Sequence, residues 1–177
     1  MIRIITTIVF MFHALLLQSM EIKTTPNWDS SSWDLEIQTA LNSELFEGIE
    51  TGNIDRVQSI INDGAKITST NNYMQTPLHL AVLKDKYSIA ELLIVSGANI
   101  NAQDKDGKTP LHFAVEIRNI ELLELFIKHG AYTKIKNYNN QTPLDLIDSN
   151  DDDWNEIKKL FIRATKQHQK SCSCIIC

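Results

Sequence analysis

Lys108-Thr109-Pro110-Leu111-His112-Phe113-Ala114-Val115 decides the fold, because its Thr-Pro-Leu triplet returns at a fixed interval. The triplet stands at Thr76-Pro77-Leu78, Thr109-Pro110-Leu111 and Thr142-Pro143-Leu144, 33 residues apart both times. Gly64, Gly97 and Gly130 keep the same spacing. Two independent marker sets on one period mean a small unit stacked on copies of itself. The functional question then becomes which surface faces which partner.

Each marker has a physical task. Thr76, Thr109 and Thr142 stand where a helix N-cap belongs, and a hydroxyl there accepts an orphan backbone N–H. Pro77, Pro110 and Pro143 follow at the first helical position, where the missing N–H costs nothing. About ten residues on, a second apolar run begins, Ile89-Ala90-Glu91-Leu92-Leu93-Ile94 in one unit and Leu122-Leu123-Glu124-Leu125-Phe126-Ile127 in the next. Its apolar positions recur at helical spacing. Gly97 and Gly130 come where a left-handed C-terminal cap is wanted. The stretch Ala98-Asn99-Ile100-Asn101-Ala102 reads as a short extended piece and Asp104-Lys105-Asp106-Gly107 as a turn.

Taken together with Ser96-Gly97-Ala98-Asn99-Ile100-Asn101-Ala102-Gln103-Asp104, the opening stretch resembles the ankyrin repeat. The resemblance covers roughly residues 41–165 and implies an all-α solenoid of about four helix-turn-helix units with short β-turn or hairpin connections. The units are drawn at 41–73, 74–106, 107–139 and 140–165. The first carries Ser43-Glu44-Leu45-Phe46 in place of Thr-Pro-Leu-His and is aligned by Thr51-Gly52-Asn53-Ile54 and Asn62-Asp63-Gly64-Ala65. The fourth has Asp145 for the histidine and one extra residue in Ser149-Asn150-Asp151-Asp152-Asp153, which puts Trp154, Ile157, Leu160 and Phe161 on the apolar positions of its second helix. Atypical end units are expected, since each end turns one polar face to water. Residues 21–40 read as a linker and N-terminal cap, with Trp33 and Ile37 on one face of an extra turn or two of helix.

The chain has 177 residues and a formal net charge of −5. That length holds one domain and tails. The charge is polarised: from Glu21 to Gly64 the acids Glu21, Asp29, Asp34, Glu36, Glu44, Glu47, Glu50, Asp55 and Asp63 face only Lys23 and Arg56. Lys158, Lys159, Arg163, Lys166 and Lys170 have no acid among them from Ile157 on. Solvated ends explain this, or a basic tail drawn to an anionic membrane. The acidic balance and the lack of a basic stripe on the repeats speak against nucleic acid.

Residues 1–20 carry one charge, Arg3, and an apolar run from Ile4 to Leu17, followed by Gln18-Ser19. That is the layout of a secretory signal peptide; the run is short of the roughly 20 residues a membrane-spanning helix needs. A secreted protein acting on another cell is the expectation, with an uncleaved membrane anchor or a misplaced start as alternatives. Residues 166–177 form a tail holding Cys172, Cys174 and Cys177. Cys174-Ile175-Ile176-Cys177 has the shape of a prenylation box with Cys172 as an acylation site. Three cysteines with only His168 near make a poor zinc site.

No catalytic constellation and no cofactor site is read. His79 and His112 occupy the fourth position of the repeat tetrapeptide, which the resemblance makes a structural hydrogen-bonding residue. His129 falls in the last turn of a helix, and His13 in the apolar leader. His-Glu-x-x-His, glycine-rich phosphate loops and nucleophile elbows are missing. Asp151-Asp152-Asp153 lacks the spaced ligands and glycine of a calcium loop. An enzyme carrying repeats fails on length. The expected function is protein–protein interaction by a monomeric scaffold or exported effector, with a stoichiometric inhibitor or a membrane-tethered adaptor as alternatives.

By resemblance, partners are read by variable positions on the turns and first helices. These are Asn72, Tyr73, Gln75, Leu83 and Lys84 in the second unit, Lys105, Asp106, Lys108, Glu116 and Ile117 in the third, and Tyr138, Asn139 and Gln141 in the fourth. Tyr73 and Tyr138 are the expected anchors, because tyrosine is enriched at binding hot spots.

Overall fold

The computed structural model describes residues 30–147, Trp154, residues 158–159 and residues 161–163. The leader, residues 21–29, the acidic run 151–153, Ile157, Leu160 and the cysteine tail lie outside the described residues, as does the side chain of Trp33. Among the described residues three helical hairpins form: α1 (Ser30–Thr51) with α2 (Ile54–Asn62), α3 (Pro77–Leu83) with α4 (Tyr87–Val95), and α5 (Pro110–Glu116) with α6 (Ile120–Lys128); residues 158–159 and 161–163 are helical as well. A 3-10 turn, Pro143–Leu146, follows α6. First helices stack on first helices and second on second. No strand occurs among the described residues.

Thr76 and Thr109 cap α3 and α5 from extended backbone, with ψ of 165° and 164°, and proline follows each. Where that signal is absent the helix does not stop. Ser43-Glu44 has no proline to cut the ladder of i to i−4 bonds, so α1 runs 22 residues and reaches back to Ser30. Part of the expected linker is therefore helix, continuous with the first unit. Leu41 and Ile37 tie the extension to the core. Gln38 Nε2 donates to the Gly64 carbonyl at 3.2 Å, and Asn42 Oδ1 accepts the Lys66 N–H at 2.9 Å.

The core follows the period. Leu45, Leu78 and Leu111 are register equivalents and all are buried, as are Ile60, Leu93 and Phe126 one layer out. Each such side chain contributes about 1.5–3 kcal/mol by leaving water. Stacking is what buries them, since a lone hairpin has only one neighbour to lean on.

Gly97, at φ 90°, closes α4 in the left-handed region. Its N–H donates to the Ile94 carbonyl at 3.0 Å and that of Ala98 to Leu93 at 2.9 Å, which satisfies carbonyls the helix would leave open. Beyond it, Ala98–Ala102 is no extended piece. Ile100–Asn101 form a turn, because the Asn99 side chain accepts the Asn101 N–H at 3.0 Å. Asparagine favours such local bonds over extended chain.

In the fourth unit the first helix is only a 3-10 turn, and Ile147 leaves it in extended conformation (φ −86°, ψ 119°). Ile147-Asp148-Ser149-Asn150 combines a β-branched residue with turn formers, which compete with helical backbone. Trp154 and Phe161 are nonetheless buried against the core. The Arg118 guanidinium sits 5.7 Å from the Trp154 ring, a cation–π cover on the end of the stack.

Candidate protein-binding surface

Each turn between units is organised by one Asx side chain. Asn71 Oδ1 accepts the N–H groups of Tyr73 (2.9 Å) and Gln75 (3.0 Å). Asp104 Oδ1 does the same for Asp106 and Lys108, and Asn137 Oδ1 for Asn139 and Gln141. Main-chain bonds close the turns from Asn71 to Gln75, Asp104 to Lys108 and Asn137 to Gln141. Neighbouring turns are also tied together. Lys105 N–H donates to the Tyr73 carbonyl and Tyr138 N–H to that of Asp106, both at 3.0 Å. The result is a ridge whose backbone is fixed before any partner arrives, which lowers the ordering cost of binding.

On this ridge Tyr73 and Tyr138 are 54% and 76% exposed. Lys105 Nζ lies 4.1 Å from the centre of the Tyr73 ring. The Tyr138 ring rests on Gly107, where a Cβ would come within 2.7 Å of it. Asn72, Asp106 and Asn139 are exposed beside them. Met74 was not expected on this surface, yet it is 57% exposed and held at φ 57°. Its register equivalents are Gly107 and Asn140, residues that tolerate this backbone region more easily. A non-periodic methionine at a position favouring glycine was the available signal.

The other expected contacts divide. Leu83 and Lys84 are exposed on α3, and Lys84 Nζ lies 3.9 Å from Glu50. Lys108 and Glu116 pair with each other, and Lys108 also lies 5.3 Å from the Phe113 ring. Gln75 and Gln141 are half-buried and accept from Asn71 and Asn137 side chains, so they serve the turns first. Ile117 was expected at an exposed position and is instead half-buried against the core. It follows α5 as a C-cap whose N–H bonds back to Phe113, and its apolar side chain packs against the core where its register equivalent Lys84, with the same cap bond, stays exposed.

The buried histidines bind unit to unit. Thr76 N–H donates to His79 Nδ1 at 3.1 Å, so Nδ1 is the acceptor and the proton resides on Nε2. Nε2–H then donates to the Lys108 carbonyl of the next unit at 3.1 Å. His112 repeats this with Thr109 N–H at 3.0 Å and the Gln141 carbonyl at 3.2 Å. Burial holds both imidazoles below their ordinary pKa, against the carbonyl bonds and nearby Asp104, which favour the charged form. Asp145 keeps the near half of this arrangement while exposed. Its Oδ2 accepts from Thr142 N–H (2.8 Å) and Oγ (2.7 Å), and these bonds hold its carboxyl below the usual range.

Among the described residues no group of histidine, cysteine and carboxylate side chains could hold a metal ion. None of their helices is long and apolar enough to cross a membrane.

Helical hairpins in register, histidine bonds from unit to unit and a hydrogen-bonded ridge of turns define a repeat solenoid. The chain belongs to the ankyrin repeat family: the family's profile, described as ankyrin repeats in three copies, matches residues 45–104 and 78–153, more than half of the chain. No curated protein matches it closely. Ankyrin repeats generally mediate protein–protein interaction.

Proposed function

We propose that this chain is an exported, non-enzymatic ankyrin array that binds a partner protein through the ridge of turn tips and the adjoining face of α3 and α5. The observation that carries this reading is the pair of exposed tyrosines on a backbone already locked by the Asx bonds and by the bonds between turns. Rigid, exposed aromatic rings bind with little loss of conformational entropy. Affinity capture with the full chain tests it, run beside the Tyr73→Ala/Tyr138→Ala variant. Direct partners are expected to be lost with the variant, while its melting temperature stays near that of the parent. Partners retained at full affinity by the double variant would refute this surface.

Export rests on the apolar leader Ile4–Leu17 and the small Ser19 that follows. N-terminal sequencing of protein recovered outside the producing cell is expected to begin near residue 20. An intact Met1 there would contradict cleavage.

A further inference from the structure

The ridge has an open rung at its N-terminal end. Lys105 and Tyr138 each donate a main-chain N–H to the preceding turn. Asn72 is their register equivalent, and its N–H has no acceptor among the described residues. The cause is α1, which continues as helix where the first unit would otherwise place its own turn. A groove of about 550 Å³ occupies that place, between α1 and the turn at Ser69–Asn72.

Three further features of the groove define an occupant. The Ser69 hydroxyl oxygen on its wall is buried with no hydrogen-bond partner among the described residues, a state that costs free energy until a polar group reaches it. Phe46 and Leu80 supply apolar surface, and Glu47 and Glu50 are the charged residues that line it among the described residues. Glu47 is paired with Arg56 at 3.2 Å and Glu50 with Lys84 at 3.9 Å. Both pairs are solvent-exposed and therefore weak enough to exchange for another cation.

We propose that this groove receives an extended, basic segment of the partner protein, which adds one rung to the ridge. A main-chain carbonyl of the segment accepts the Asn72 N–H, and a neighbouring polar group satisfies Ser69 Oγ. One aliphatic side chain lies on Phe46 and Leu80, and a lysine or arginine reaches Glu47 and Glu50. Main-chain pairing at an open edge supplies affinity, and alternate side chains supply selectivity. The inference rests on the protein-binding reading of the ridge and adds the chemistry of the segment at its end.

The probe is the blocked hexapeptide acetyl-Lys-Val-Lys-Val-Lys-Val-amide, titrated into the ¹⁵N-labelled full chain. Amide shifts are expected at Ser69 to Asn72 and at Asn42 to Phe46, and the Glu-Val analogue is expected to leave them unmoved. Glu47→Gln/Glu50→Gln should weaken the peptide about tenfold or more, the scale of lost charge complementarity at a partly exposed site. Shifts confined to Tyr73 and Tyr138, no shifts at all, or equal binding of the acidic analogue would overturn the proposal. So would slow exchange of the Asn72 N–H in the free chain, which would mean that the chain's own residues fill the groove. The two readings separate on the captured partner. Loss with the tyrosine variant but not with the glutamine variant leaves the ridge standing and removes the groove; the reverse result removes the ridge.

Discussion

Leu111→Ala is expected to destabilise the array by about 2–5 kcal/mol, the range for truncating a buried leucine without full collapse of the cavity. Leu111 is 1% exposed in α5, a helix that, like α3, has neighbours on both sides in the stack. The loss would remove the hairpin that joins the second unit to the fourth, so the neighbours lose burial as well. Small domains hold only about 5–15 kcal/mol in total, and a change of this size populates the unfolded chain. Partner binding would then fall indirectly. Urea unfolding followed by circular dichroism measures it, with Leu83→Ala as the control. Leu83 is 42% exposed, and its truncation should stay within about 0.5 kcal/mol. A loss below about 1 kcal/mol for Leu111→Ala would contradict the packing described.

Acidification is the second large effect, through His79 and His112. In the folded chain each Nδ1 must accept from a threonine N–H while Nε2–H donates to the next unit. A proton on Nδ1 would set donor against donor. Their folded pKa values are lowered by burial, so below about 6.5 the unfolded chain binds more protons than the folded one. The stabilisation is whole above about 6.5 and is lost as pH falls through the lowered folded values. Unfolding free energies at about pH 7.5 and about pH 5.5 are expected to drop toward acid in the parent. The drop should be much smaller in His79→Gln/His112→Gln. That variant should itself lose about 1–3 kcal/mol per site at the higher pH, since buried partners go unsatisfied. An equal acid slope in both proteins would place the pH response elsewhere.

Thr76-Pro77 and Thr109-Pro110 mark helix starts by mechanism, so the hairpins between them were legible in the sequence. The start of α1 was not. Serine caps a helix as readily as it fills a linker, so Ser30-Ser31-Ser32 left that start undecided. Propensity yielded there to packing, through Ile37, Leu41 and the bond from Gln38 to Gly64. The shortened helix after Pro143 was hidden for the opposite reason: a good start signal says nothing about how far the helix runs.

At the candidate surface the exposure of Tyr73 and Tyr138 was readable, because turn tips between stacked units face outward. Ile117 was not, since its burial depends on the helix packed beside it rather than on its own neighbours in sequence. Asn71, Asp104 and Asn137 repeat at the same 33-residue interval as the threonines. Their spacing was visible, while the bonds that make them organisers of the ridge required the fold.

The most direct test of recognition through the ridge is the affinity of a captured partner for the parent and for Tyr73→Ala/Tyr138→Ala, each checked for an unchanged melting temperature. Two hot-spot tyrosines predict weakening of at least about a hundredfold. Equal affinity in two equally stable proteins would contradict it.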